Sequence, residues 1–93
     1  MNKNISLNSQ IQISKDAVSR NLQGEMVILN LKTNVYCGLD QIGARIWQLI
    51  NEHKSLKKVL DKLVEEYEVT EEEGTKDLLN FISMLQEKEL IEA

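Results

Sequence analysis

The chain has one cysteine and one histidine among 93 residues, and these two scarcities remove most kinds of chemistry before any pattern is read. A lone cysteine forms neither an internal disulfide nor a thiolate metal cluster. Cys37 has no histidine nearby in sequence to activate it, so it reads as a small apolar filler rather than a nucleophile. His53 stands among Glu52, Lys54 and Ser55 and reads as a solvated loop residue rather than a catalytic base. A glycine-rich phosphate loop, a metal-ligand set and a Ser/His/Asp constellation are all missing, so the sequence predicts no enzyme and no cofactor. Proline is absent, as are repeats and low-complexity segments. With no linker to divide it and 42% hydrophobic residues, the chain suits a single domain over residues 1–93 with one modest core, residues 1–8 forming a loose polar start. Basic residues are outnumbered, 11 Lys and Arg against 15 Asp and Glu, and the net charge of −4 counts against nucleic acid as partner. No run reaches the ~18 apolar residues of a membrane span, and none resembles a signal peptide. The expectation is a cytoplasmic protein whose partners are peptides or proteins.

What the chain does have is a β-hairpin at Glu25–Leu39. Met26 to Leu31 is dense in β-branched and aliphatic residues, and Val35 to Leu39 forms a second short run. Lys32-Thr33-Asn34 connects them at the length of a three-residue turn closed by a residue at positive φ, a conformation that asparagine tolerates. Alternation puts Val27, Leu29 and Leu31 on one face and Met26 and Ile28 on the other. Both faces are too apolar for water, so the sequence predicts cover on each. Ile11-Gln12-Ile13-Ser14, prolonged by Val18 to Leu22, supplies a first strand and makes the sheet three-stranded.

From Asp40 the period changes. Asp40 is an N-cap, and Ile42, Ile46, Trp47 and Ile50 recur at helical spacing to about Asn51. Ser55 caps a second helix, in which Leu56, Val59, Leu60, Leu63, Val64 and Tyr67 share a face. Thr70 opens a capping box with Glu73, and a third helix runs from Glu71 to about Lys88 with Glu71, Glu72 and Glu73 at the positive end of its dipole. Its apolar residues Leu78, Leu79, Phe81, Ile82, Met84 and Leu85 cover more of the circumference than one core contact needs, which leaves part of that face for the hairpin or a ligand. Leu90 and Ile91 tuck back.

This order of elements supports two binding readings. Helices one and two with the hairpin as wing make a winged-helix-like DNA binder, using Lys54, Lys57, Lys58 and Lys62. Asp61, Glu65 and Glu66 interrupt that face, and the wing offers only Lys32. In the other reading, the free edge of Val35 to Leu39 beside helix three accepts an extended peptide as an added strand. A sheet edge merely blunted by loops is the plain alternative to both.

The run Leu39-Asp40-Gln41-Ile42-Gly43-Ala44-Arg45-Ile46-Trp47, preceded by Glu25 to Leu29 and Val35 to Gly38, resembles the PqqD-like family. These are small recognition domains that bind leader peptides in pathways of ribosomally made, modified peptides. The likeness continues through Leu56, Leu63, Tyr67, Asp77, Phe81, Leu85 and Leu90-Ile91, over about residues 20 to 91. Asn34 stands where the family usually has Gly, Asp40 where Asn is common, and Glu89 where Gly often precedes the final Leu. The resemblance implies an α+β fold, a three-stranded antiparallel sheet followed by three helices, with no catalytic activity of its own and a leader captured between the third strand and third helix. Carried onto this sequence, the peptide-binding residues are Val35, Tyr36, Cys37, Gly38 and Leu39 on the edge, with Asp77, Leu78, Phe81, Ile82 and Leu85 on the helix. Stand-alone domains of this kind are similar to those of lasso peptide clusters, which act with a leader peptidase and a cyclase. They are also similar to those paired with radical SAM enzymes in quinone cofactor and thioether peptide pathways.

Overall fold

Met26, Val27, Ile28 and Leu29 form the middle of the central strand in a three-stranded antiparallel sheet, in a computed structural model that describes residues 6–23 and 25–92. In chain order the elements are β1 (Gln12–Ile13), β2 (Ala17–Leu22), β3 (Glu25–Asn30), β4 (Tyr36–Leu39), α1 (Gln41–His53), α2 (Leu56–Tyr67), α3 (Glu71–Glu87) and β5 (Ile91–Glu92). The sheet order is β2-β3-β4, with Val18 opposite Leu29, Arg20 opposite Val27, Ile28 opposite Cys37 and Met26 opposite Leu39. Asn34 takes φ 62° in the β3–β4 turn, as its place in the sequence predicts.

The first strand differs from its expectation. Gln12–Ile13 and Ala17–Leu22 are separate strands in separate sheets: β1 pairs with β5, Gln12 opposite Glu92 and Ile13 opposite Ile91. A turn at Ser14–Asp16, closed by the Ala17 N–H donating to the Ser14 carbonyl at 3.1 Å, redirects the chain between them. Of the loose start expected over residues 1–8, residues 1–5 lie outside the described residues. Leu7 packs against the core, and the Ser9 N–H donates to the Ser6 carbonyl at 2.9 Å.

The helices begin where their caps place them. Asp40 Oδ1 accepts from the Gly43 N–H at 2.8 Å, and Thr70 Oγ1 accepts from the Glu73 N–H at 3.1 Å. Ser55 takes the extended N-cap conformation of α2 without a side-chain cap hydrogen bond. His53 closes α1 instead of lying in a loop, two residues beyond the expected end. Between α1 and α2, Arg45 Nε and Nη2 donate to the two Glu66 oxygens at 2.8 and 2.7 Å. This bidentate pair holds the Glu66 carboxyl below its ordinary range and raises Arg45 further, the hydrogen bond being the main cause of both shifts.

All three helices cover one face of the sheet. Met26, Ile28, Cys37 and Leu39 point into a continuous core with Ile46, Trp47, Leu49, Ile50, Leu56, Val59, Leu60, Leu78, Ile82, Leu85, Leu90 and Ile91. Each such side chain contributes ~1.5–3 kcal/mol on full burial. The opposite face has no cover among the described residues, contrary to the expectation of cover on both: Leu31 is 57% exposed, Leu22 53% and Val18 45%. Three helices of this length form one layer, and one layer covers one face.

Candidate functional site

The hydrogen-bond polarity of β3 decides which backbone groups the sheet leaves free. The Asn30 N–H donates to the Val35 carbonyl at 2.8 Å, while the next N–H, that of Leu31, donates to the Asp16 carbonyl at 2.8 Å on the other side. In an antiparallel ladder this alternation continues along the strand, so Cys37 and Leu39 spend their N–H and C=O groups on β3, while Val35 gives β3 only its carbonyl and donates its N–H to Thr33 Oγ1 at 3.2 Å. Tyr36 and Gly38 therefore present theirs outward. Within β4 the side chains alternate as well, Cys37 and Leu39 buried and Tyr36 71% exposed, while Val35, just before the strand, is 40% exposed. A Cβ added at Gly38 would have no atom within 4 Å, so the sheet face away from the helices is open there.

α3 stands beside this edge and runs counter to β4. Near the hairpin turn, Met84 Sδ lies 3.8 Å from Cys37 Sγ. At the other end Phe81 lies against the start of α1, where a Cβ on Gly43 would fall 3.2 Å from Phe81 Cε1, 3.2 Å from Asp40 Oδ1 and 3.4 Å from Leu39 Cβ. Glycine at this position lets the aromatic ring seat across the first turn of α1, which gives the Leu-Asp-x-x-Gly run a steric reason. Helical spacing then places Asp77, Phe81 and Met84 on the flank of α3 nearest β4. Asp77 is exposed and Phe81 and Met84 half-buried. Leu78, Ile82 and Leu85 are fully buried and form the core beneath that flank, Leu78 also reaching the floor of a cleft between α1, α2 and α3.

Asn30 joins the two walls, and sequence reasoning passed over it. It is 2% exposed, the one buried polar side chain among the described residues. Its Nδ2 donates to the Glu89 carbonyl at 2.9 Å and reaches the Lys88 carbonyl at 3.4 Å, just past the end of α3. Its Oδ1 accepts from the N–H groups of Lys32 and Thr33 at 2.9 and 3.2 Å in the hairpin turn. One amide thus satisfies four backbone groups and fixes the hairpin against the C-terminus of α3. The available signal was a polar residue at an inward position, in step with Met26 and Ile28. Ile42 was also misplaced: expected in the core stripe of α1, it is 51% exposed and borders a cleft with Tyr67 and Asp77.

Neither residue weighed as a reactive group gains a partner for catalysis. Cys37 is buried and free, and His53 Nε2 lies 3.7 Å from the carboxylate of its neighbour Glu52. No group of His, Cys, Asp and Glu suited to a metal ion occurs among the described residues. No helix among them is long and apolar enough to cross a membrane.

The family model described as Coenzyme PQQ synthesis protein D (PqqD) matches residues 25–91. Among solved structures, TbiB1 in complex with the TbiA(beta) leader peptide superposes with a TM-score of 0.83 at 39% identity, over 88% of this chain and 95% of that one. Lasso peptide synthetase B1 complexed with the leader peptide superposes with a TM-score of 0.82 over 91% of this chain and 100% of that one. At 21% identity that second likeness concerns the fold alone. No curated protein matches the chain.

Proposed function

The chain belongs to the PqqD family, and we propose that it is an adaptor that binds the leader segment of a ribosomally made precursor peptide. The leader adds as a fourth strand to β4, and the adaptor presents the rest of the precursor to modifying enzymes. The observation that carries this reading is the pair of outward-facing residues, Tyr36 and Gly38, on an open edge flanked by Asp77, Phe81 and Met84 of α3. The solved relative bound to a leader peptide supports the class of ligand. Val35, Cys37 and Leu39 hold the edge in register, while Leu78, Ile82 and Leu85 back the flank. Chemistry falls to partner enzymes, either a leader peptidase and a cyclase, as in lasso peptide pathways, or a radical SAM enzyme.

Magnitudes indicate how such a site divides its work. Tyr36 and Gly38 together offer at most about four backbone hydrogen bonds, each contributing ~0.5–1.5 kcal/mol net. Association and ordering of a flexible peptide oppose this by ~4–15 kcal/mol. Backbone pairing alone is insufficient, and apolar anchors at ~1.5–3 kcal/mol each must supply the rest. The decisive test uses proline, which removes one N–H and fixes φ. Tyr36→Pro deletes an outward N–H, so the domain keeps its fold and loses most of its leader affinity. Cys37→Pro deletes an N–H bonded to β3 and lowers thermal stability. Fluorescence anisotropy with a labelled leader, alongside melting curves, reads both. A folded Tyr36→Pro protein that binds the leader like wild type would remove strand addition at β4.

A further inference from the structure

The sheet face that the helices leave open is apolar, and two charges are set into it. Val18 and Leu22 of β2, Val27 and Leu29 of β3 and Tyr36 of β4 share that face, because residues directly opposite in an antiparallel ladder point the same way, and Met26 and Ile28 point the other way into the core. Between β2 and β3 the surface dips into a hollow bordered by Val18, Arg20, Leu22, Val27 and Leu29. Arg20 lies opposite Val27 and Glu25 opposite Leu22, so the two charged residues are diagonal neighbours of opposite sign on the same face. Both are exposed, and neither forms a salt bridge among the described residues.

We propose that this face is the interface of a symmetric homodimer, two copies of the chain packed sheet on sheet. A two-fold interface sets one patch against a copy of itself, so the patch must be complementary to itself. An apolar surface with charges of one sign would call for a different protein of the other sign, whereas one basic and one acidic residue side by side call for a second copy. With the axis running along the strands between β2 and β3, each β2 lies over the β3 of the other copy. Val18 and Leu22 then enter the other copy's hollow, and Arg20 of each copy reaches Glu25 of the other. The whole face measures about 15 by 20 Å, so even complete overlap removes only roughly 1,000 Å² from water, the lower limit for a specific association. The dimer is therefore reversible. β4 lies at the margin of the contact with its edge free, so each copy keeps its leader groove, and the inference stands apart from the leader-binding reading.

Sedimentation velocity of the whole chain without leader, from about 10 μM to about 1 mM, tests the proposal over the span in which an interface of this size associates. The average mass is expected to rise with concentration from that of one chain toward that of two. Arg20→Glu and, separately, Glu25→Arg set like charges against each other across the axis, and each is expected to weaken association at least about tenfold. The double variant restores opposite signs and is expected to recover association to within about threefold of wild type. Both residues are exposed and outside the core and the groove, so melting curves and leader affinity stay close to wild type in all three variants. A chain that remains monomeric at about 1 mM, well above the concentrations at which such faces pair, overturns the dimer and leaves the face to a different protein. Association that survives both single reversals, or losses that the double variant does not repair, overturns this packing. Dissociation on adding leader does so too, since it would move the contact to the β4 edge.

Discussion

Asn30 shows how much can depend on one amide. Replacing it by aspartate keeps an oxygen for the Lys32 and Thr33 N–H groups but turns the donor into a charged acceptor facing the carbonyls of Lys88 and Glu89. An uncompensated charge at a site that is 2% exposed is expected to cost about 3 kcal/mol or more at neutral pH. Leader affinity should fall as well, because the hairpin is no longer fixed to the end of α3. The pH dependence separates this mechanism from general damage. Burial and the facing carbonyls disfavour the charged carboxylate, so the introduced group's folded pKa lies above its unfolded value. Stability relative to wild type is then partly regained as pH falls and the protonated acid again donates, and is lost as pH rises through the folded pKa. Urea melts of Asn30→Asp at several pH values check this. A deficit constant from pH 4 to 8 would show that the donor to α3 is not what Asn30 contributes.

At the scale of elements, starts were legible in the sequence and several stops were not. Asp40 and Thr70 announce their helices because a cap is a side-chain property, and Asn34 marks its turn for the same reason. The ends of α1, α2 and α3 instead use Lys54 at φ 61°, Glu68 at φ 54° and Glu89 at φ 56°, residue types that carry no signal for the left-handed region. Glu89 is the informative case, since it holds a left-handed φ of 56° that glycine adopts without cost. Its N–H donates to the Gln86 carbonyl, and the next N–H, of Leu90, reaches back to the Leu85 carbonyl, both at 3.0 Å. This closure turns the chain into β5. Glu89→Gly is therefore expected to raise stability by about 1 kcal/mol, read as a higher urea midpoint at unchanged slope. No gain would mean that the closure tolerates glutamate without strain. The split of β1 from β2 was illegible for another reason: Ile13 and Val18 alternate equally well in either sheet, and local propensity does not name a strand's partner. The nearness of β4 and α3 followed from their order along the chain, while which backbone groups pointed outward required the register.

For the whole molecule, the sequence showed two apolar faces on the hairpin but could not show that all the helices would gather on one of them. The pairing of β1 with β5 has a further consequence, which concerns time rather than affinity. The β-hairpins and the α1–α2 pair join neighbours along the chain, whereas this ladder joins its two ends, Gln12 to Glu92 and Ile13 to Ile91. The entropy of loop closure grows with the length enclosed, and so few residues return little for it. The ladder should therefore form late in folding and open ahead of the rest, as a local unit with its own lower free energy. Amide hydrogen exchange reads this directly: the Ser14 N–H, which donates to the Leu90 carbonyl at 3.0 Å, should exchange through a smaller opening than the Ile28 N–H in the central strand. Equal protection at the two amides would mean that the domain opens only as a whole. Unequal protection would mean that the chain ends act as a clasp, able to part and reclose while the hairpin holds its shape.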